Sequence, residues 1–335
     1  MAELVLVGDV MLGRLVNEAL SGTPPEWPWG DVLSLFQEAD WRFCNLECVI
    51  SDVVPPRLPD KAFHFRSEAR NVAALRAAVD VVSCANNHSL DFGPEAMLDM
   101  LRLLDRARIG HAGAGADLEE AARPAISTAR DGTRVAVIAC TDNEPDWAAT
   151  LRAPGLYYVP IDPRHPAARG LLDRVRRVRH LADLTVVSLH WGSNWGDEPE
   201  PGHRELAAEL TEAGADLVVG HSSHVVRGIE VRAGKPVLYS AGDFIDDYAV
   251  DPVARNDRSV VFLVETGPGG PRRVRLRPSV IERCRARLAR DDEADPILER
   301  MRRLCQRLGT HLEVREREGL IEIAPADHAA GASAP

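Results

Sequence analysis

Short apolar runs recur along this chain, and five of them end in residues able to hold a cation. Leu4 to Val7 leads through Gly8 to Asp9, Trp41 to Cys44 leads to Asn45 and Glu47, and Val79 to Ser83 leads to Asn87 and His88. Leu184 to Leu189 ends at His190, and Ala215 to Val219 runs into Gly220-His221-Ser222-Ser223-His224. Between the runs lie helical patterns. One covers Asp31 to Ala39, a second is capped by Ser67 with Glu68 in its first turn and continues through Ala78, and a third starts near Pro94 and repeats Met97, Leu98, Leu101 and Leu104 at helical spacing. Short β-branched runs alternating with helices predict an α/β fold with covered sheet faces, in which sites gather at the C-terminal ends of strands. Gly220 reads as the point where the backbone turns to present two imidazoles on a loop.

Carboxylate, amide oxygen and imidazole together suit a hard or borderline divalent ion such as Zn, Mn, Fe or Mg. Each residue also has a plainer use. Asp9 after Gly8 can be a turn former, Asn86-Asn87-His88-Ser89 can be a helix-entry loop capped by Ser89 or Asp91, and His190 can be a buried ring stacked on Trp191. Glu47, set among Leu46, Cys48 and Val49, is harder to explain that way, because a partly buried carboxylate needs a partner. His64, His111, His165, His180, His203, His311 and His328 lie in loop or helical patterns and read as ordinary solvated histidines. The cysteines Cys44, Cys48, Cys84, Cys140, Cys284 and Cys305 form no framework and read as reduced and structural; Cys44 and Cys48 lack the second pair that a thiolate zinc site needs.

Composition narrows the partners. A formal charge of -11 over 335 residues disfavours nucleic acid and anionic membrane surfaces. No run approaches the ~20 apolar residues of a membrane span, and no basic leader precedes Leu4, so a cytoplasmic protein is expected. Residues 1–266 read as the main domain. Residues 267–324 read as a C-terminal subdomain packed on it, beginning with a turn or linker at Gly267 to Pro271. There Arg272, Arg273, Arg275 and Arg277 alternate with Val274 and Leu276 as in a half-exposed strand, either solvated or reaching an anionic substrate. Ile297, Met301, Leu304 and Leu308 mark a helix, Leu320 to Ile323 a last strand, and residues 325–335 a disordered tail.

Read in order, Gly8-Asp9, Asn45-Leu46-Glu47, Asn86-Asn87-His88-Ser89-Leu90-Asp91, His190-Trp191-Gly192, Gly220-His221-Ser222-Ser223-His224 and Ser240-Ala241-Gly242-Asp243-Phe244 resemble the CapA family. That family is linked to poly-γ-glutamate capsule synthesis and related to calcineurin-like metallophosphoesterases. The resemblance implies a four-layer α/β/β/α sandwich with a small C-terminal extension, holding one or two divalent metal ions. It makes Asp9 and His224 ligands of a first metal, Glu47 the shared carboxylate, and Asn87, His190 and His221 ligands of a second. His88 becomes the catalytic acid, with Asp91 orienting it or capping nearby. Met11 stands where the related enzymes carry a histidine, and Ser222 and Asp243 replace the family's commoner His and Asn, which points to a weak or empty first site and a substrate of its own. Three functions follow as expectations: a metal-dependent hydrolase of a phosphate ester or similar anionic small molecule, an enzyme acting on an amide or γ-glutamyl bond, or a non-catalytic accessory of capsule polymer synthesis.

Overall fold

The computed structural model describes residues 1–55 and 61–323; the tail expected at 325–335 lies outside them. The two large sheets are built from the apolar runs. The first has, from one edge to the other, strands Glu313–Arg315, Glu318–Glu322, Gly270–Ile281, Arg258–Gly267, Glu3–Val10, Trp41–Leu46, Val81–Ser83 and Gly110–Ala112, with Asp243–Ile245 pairing parallel to the end of Glu3–Val10. The second runs Ile229–Arg232, Lys235–Leu238, Leu217–His221, Leu184–His190, Arg134–Thr141 and Ala125–Thr128.

Alternation along each strand sends side chains to opposite faces, and this sorts the buried residues into three cores. Leu4, Leu6, Phe43 and Val81 of the first sheet meet Val137, Val186 and Val219 of the second between the sheets. Val5, Val7, Cys44 and Val82 face outward against helices that include Val72–Ala78 and Gly93–Ala107. Ile138, Val187 and Val218 face outward against Pro166–Val178 and Pro201–Ala213. The result is the expected α/β/β/α sandwich. Helix Asp291–Arg307 adds Ile297, Leu298, Met301 and Leu304 to the inter-sheet core.

Ser67 does not cap a helix: it ends a two-residue strand, a 3-10 turn follows at Ala69–Asn71, and the α-helix begins at Val72. Gly267 to Pro271 is the turn of a hairpin, since Gly270–Ile281 pairs antiparallel with Arg258–Gly267, so the C-terminal strands continue the first sheet. The arginines of that strand meet carboxylates: Arg273 lies beside Glu265 and Glu322, and Arg275 beside Glu3, Glu265 and Glu318.

Candidate metal centre

The registers bring the strand ends together. Asp9 lies opposite Asn45 on one side and Asp243 on the other, and Asn45 opposite Ser83. In the second sheet His190 lies opposite His221. The approach of Asp9 to Asp243 requires Gly8, because a Cβ there would stand 1.7 Å from the Gly242 carbonyl oxygen. Gly220 acts similarly, not as a turn. It lies inside strand Leu217–His221, where a Cβ would stand 2.1 Å from the Tyr239 carbonyl oxygen. The chain turns after it, at Ser222 (φ 92°) and His224 (φ 55°), left-handed conformations that L residues rarely adopt and that concentrate at functional sites.

At the meeting point, ligand atoms of Asp9, Glu47, His224 and Asp243 all lie within 4.8 Å of one another. His221 Nδ1 is 3.1 Å from Asp9 Oδ1, and Asn45 donates its amide to that oxygen at 2.8 Å. His190 is buried close enough to Asp9 for each to influence the other's charge. Asn87 borders the same cleft as His88 and His224. Asp9 Oδ2, both Glu47 oxygens, Asn87 Oδ1, His190 Nδ1, His221 Nε2 and Asp243 Oδ2 are buried without a hydrogen-bond partner. Burying so many unpaired polar atoms would cost several kcal/mol each if nothing satisfied them. Oxygen and imidazole donors around one point fit a divalent cation of the hard or borderline kind.

The electrostatics carry the same signature. Burial works to raise the Asp9 carboxyl, but the hydrogen bond and charge of His221 outweigh it and hold Asp9 below the ordinary range. Glu47 is driven well upward by burial and by the Asp9 charge beside it. Burial raises Asp243 to about 6 against the pull of His224. Burial alone would depress His224, yet the charge and hydrogen bond of Asp243, whose Oδ1 is 2.9 Å from Nδ1, bring it up to about 9. Crowded carboxylates that resist ionising together are what a cation relieves.

His88 is set apart from this cluster. Its Nδ1 is 2.7 Å from Asp91 Oδ2, and its Nε2 faces Glu47 Oε1 at 4.0 Å. Burial pulls its ring down to about 4 despite Asp91. Asp91 caps no helix: it accepts from the Phe65 N–H at 2.7 Å and from Lys61 Nζ at 2.7 Å, which anchors the His88 orientation.

Several expectations shift. Met11 points its sulfur at the Gly13 N–H, 3.0 Å away, within an apolar core. Asp243, first noted only as a departure from the family pattern, stands in the tight group; its signal in the sequence is Gly242-Asp243, which repeats Gly8-Asp9. Asp246 is buried with an unpartnered Oδ2, and Lys61 bonds Asp91. Trp191 packs on His203 and Tyr239. His203 is not solvated: it is fully buried and accepts the Glu200 N–H at the start of helix Pro201–Ala213. Cys44, Cys48 and Cys84 are buried free thiols, and burial pushes Cys48 up to about 12, with its sulfur accepting from the Leu12 N–H. Among the described residues no helix is long and apolar enough to cross a membrane.

The chain is similar to several known proteins. A probable polyglutamine synthesis accessory protein of Mycobacterium tuberculosis is 33% identical over 371 aligned positions, which cover 96% of each chain. The PGA biosynthesis protein CapA of Bacillus subtilis is 30% identical over 243 residues, 72% of this chain and 62% of its own. Among solved structures, a putative 5'-nucleotidase from Staphylococcus aureus superposes with a TM-score of 0.47 at 14% identity, covering 89% of this chain and 57% of that one. Residues 3–248 match the bacterial capsule synthesis protein PGA_cap family, and the chain belongs to it.

Proposed function

We propose that the cleft is the active site of a metal-dependent hydrolase acting on a phosphate ester or similar anionic small molecule. The observation that carries this reading is the cluster of unpartnered buried donors beside an Asp91-oriented imidazole. Asp9, Glu47, His224 and Asp243 would hold one divalent cation; Glu47, Asn87, His190 and His221 would hold a second. Cations in such a donor set supply Lewis acidity, which acidifies water and offsets charge on an attacked tetrahedral centre.

This chain's own residues supply the rest. Asp91 accepts the Nδ1 proton of His88, which leaves Nε2 as the working nitrogen. His88 is neutral in the free cleft, takes a proton at Nε2 as a protonated substrate anion arrives, and returns it to the leaving oxygen. Asp243 keeps His224 oriented through Nδ1, and Asn45 does the same for Asp9.

A second reading keeps the centre but directs it at an amide or γ-glutamyl bond. It is favoured by the name of the Bacillus subtilis relative, a PGA biosynthesis protein. The Mycobacterium tuberculosis relative is named an accessory protein, which favours a role in polymer synthesis without turnover. Elemental analysis of the purified chain, followed by assays with 4-nitrophenyl phosphate and with γ-glutamyl-4-nitroanilide, separates the three. Bound divalent metal with phosphate-ester turnover is expected. Turnover of the anilide alone selects the second reading, and a chain that binds no Mn or Zn refutes the hydrolase.

A further inference from the structure

The cleft that opens onto the donor cluster has a volume of about 460 Å³, and its walls include Phe63, Phe65, Trp195 and Tyr248 beside His88 and His224. These rings form a connected set. Phe65 lies 4.0 Å from the His88 ring with planes 30° apart, and Phe63 lies 6.4 Å beyond Phe65. On the other imidazole, Trp195 is 5.7 Å from His224, and Tyr248 meets it edge-on at 5.5 Å.

The inner rings, Phe65 and Tyr248, touch each other at 5.4 Å and are part of the packing. The outer two are different. Phe63 is 61% exposed and Trp195 49% exposed, although both border a cavity that leads to buried ligands. Arg14 and Lys61 also line the cleft, but each already has a carboxylate, Asp247 at 3.1 Å and Asp91 at 2.7 Å. Asn194 and Asn256 add polar groups to the walls, while Phe63 and Trp195 add open aromatic faces, so the body of a ligand meets the rings and its anionic end belongs at the donor cluster. A small anion, or a flexible chain of carboxylates, would leave Phe63 and Trp195 uncovered. A flat ring attached to the anion would cover them, since aromatic faces stack on planar groups with little regard to their substituents.

We propose that this cleft selects a phosphate monoester whose leaving group is a planar aromatic ring, recognised by Phe63 and Trp195. The proposal rests on the hydrolase reading above and narrows its substrate class. The test is isothermal titration of the full chain loaded with Mn²⁺, using inorganic phosphate, phenylphosphonate and 2-hydroxyethylphosphonate, none of which can be turned over. Wild type is compared with Phe63→Ala, Trp195→Ala and the double variant. Phenylphosphonate is expected to bind about tenfold tighter than 2-hydroxyethylphosphonate to wild type, and roughly equally in the double variant, with inorganic phosphate unchanged throughout. Equal affinity of the two phosphonates for wild type, or a preference that survives in the double variant, overturns the proposal. Failure of wild type to bind inorganic phosphate overturns the hydrolase reading and the proposal together, whereas phosphate binding without an aryl preference overturns the proposal alone.

Discussion

Gly8→Ala tests whether the meeting of two strand ends is what makes the centre. The added Cβ would lie 1.7 Å from the Gly242 carbonyl oxygen and 2.8 Å from that of Ala241, where ordinary contact begins at 3.4 Å. Both obstacles are main chain, so a change of rotamer cannot relieve them. Strand Asp243–Ile245 must retreat by about 1.5 Å or more to restore contact distance. That retreat stretches the bonds from Asp9 N–H to Gly242 O, 2.9 Å, and from Met11 N–H to Ile245 O, 2.8 Å. Each is worth about 1 kcal/mol, overpacking adds about 1–3 kcal/mol, and the reduced freedom of the unfolded chain returns about 0.4–1 kcal/mol. The net expectation is a loss of about 2–5 kcal/mol, read as a lower urea midpoint at unchanged slope. Metal content should fall with it, because Asp243 is carried away from Asp9. A variant within about 0.5 kcal/mol of wild type, the ordinary range for a neutral surface change, with full metal content would refute the reasoning.

His88→Ala should keep its metal and lose roughly a hundredfold to ten-thousandfold of turnover, whereas His221→Ala should lose both, as elemental analysis and rate measured on the same samples will show. Cys48→Ala should leave metal content unchanged; loss of metal would revive a thiolate ligand. His203, lowered to about 4 by burial from an ordinary 6.5, contributes stability that is present above 6.5 and lost as pH falls toward 4, because the unfolded chain takes up its proton first. The window corresponds to about 3 kcal/mol at most, and His203→Leu should flatten that part of the stability profile; identical acid profiles for the two proteins would contradict this.

The strand-end donors were legible because each follows a short, continuous apolar run, the pattern of a strand buried on both faces. Asp243 escaped because its strand is only three residues long, Asp243–Ile245, and is preceded by Ser240-Ala241-Gly242, which carries no strand pattern. Its place is set by pairing with a strand more than two hundred residues earlier, and no local window contains that pairing. His203 was misread for a related reason. Its helix is amphipathic, but the ring is buried by Trp191, which arrives from another strand. Lys61 carries no local signal of its use, which depends on Asp91, thirty positions away.

The terminal hairpin of the first sheet also bears on how the molecule behaves in a crowded solution. An edge strand offers unpaired amides and carbonyls to any other chain with a strand to spare. Here the outermost strand is only Glu313–Arg315, its two ends carry opposite charges that pair with each other at 2.6 Å, and its partner begins with Glu318 beside Arg275. A neighbouring molecule trying to extend the sheet would find three residues of template and would have to strip water from those charges to use it. The long ladder that carries Asp9 and Asp243 at its strand ends is thus closed to self-association at this border by brevity and charge.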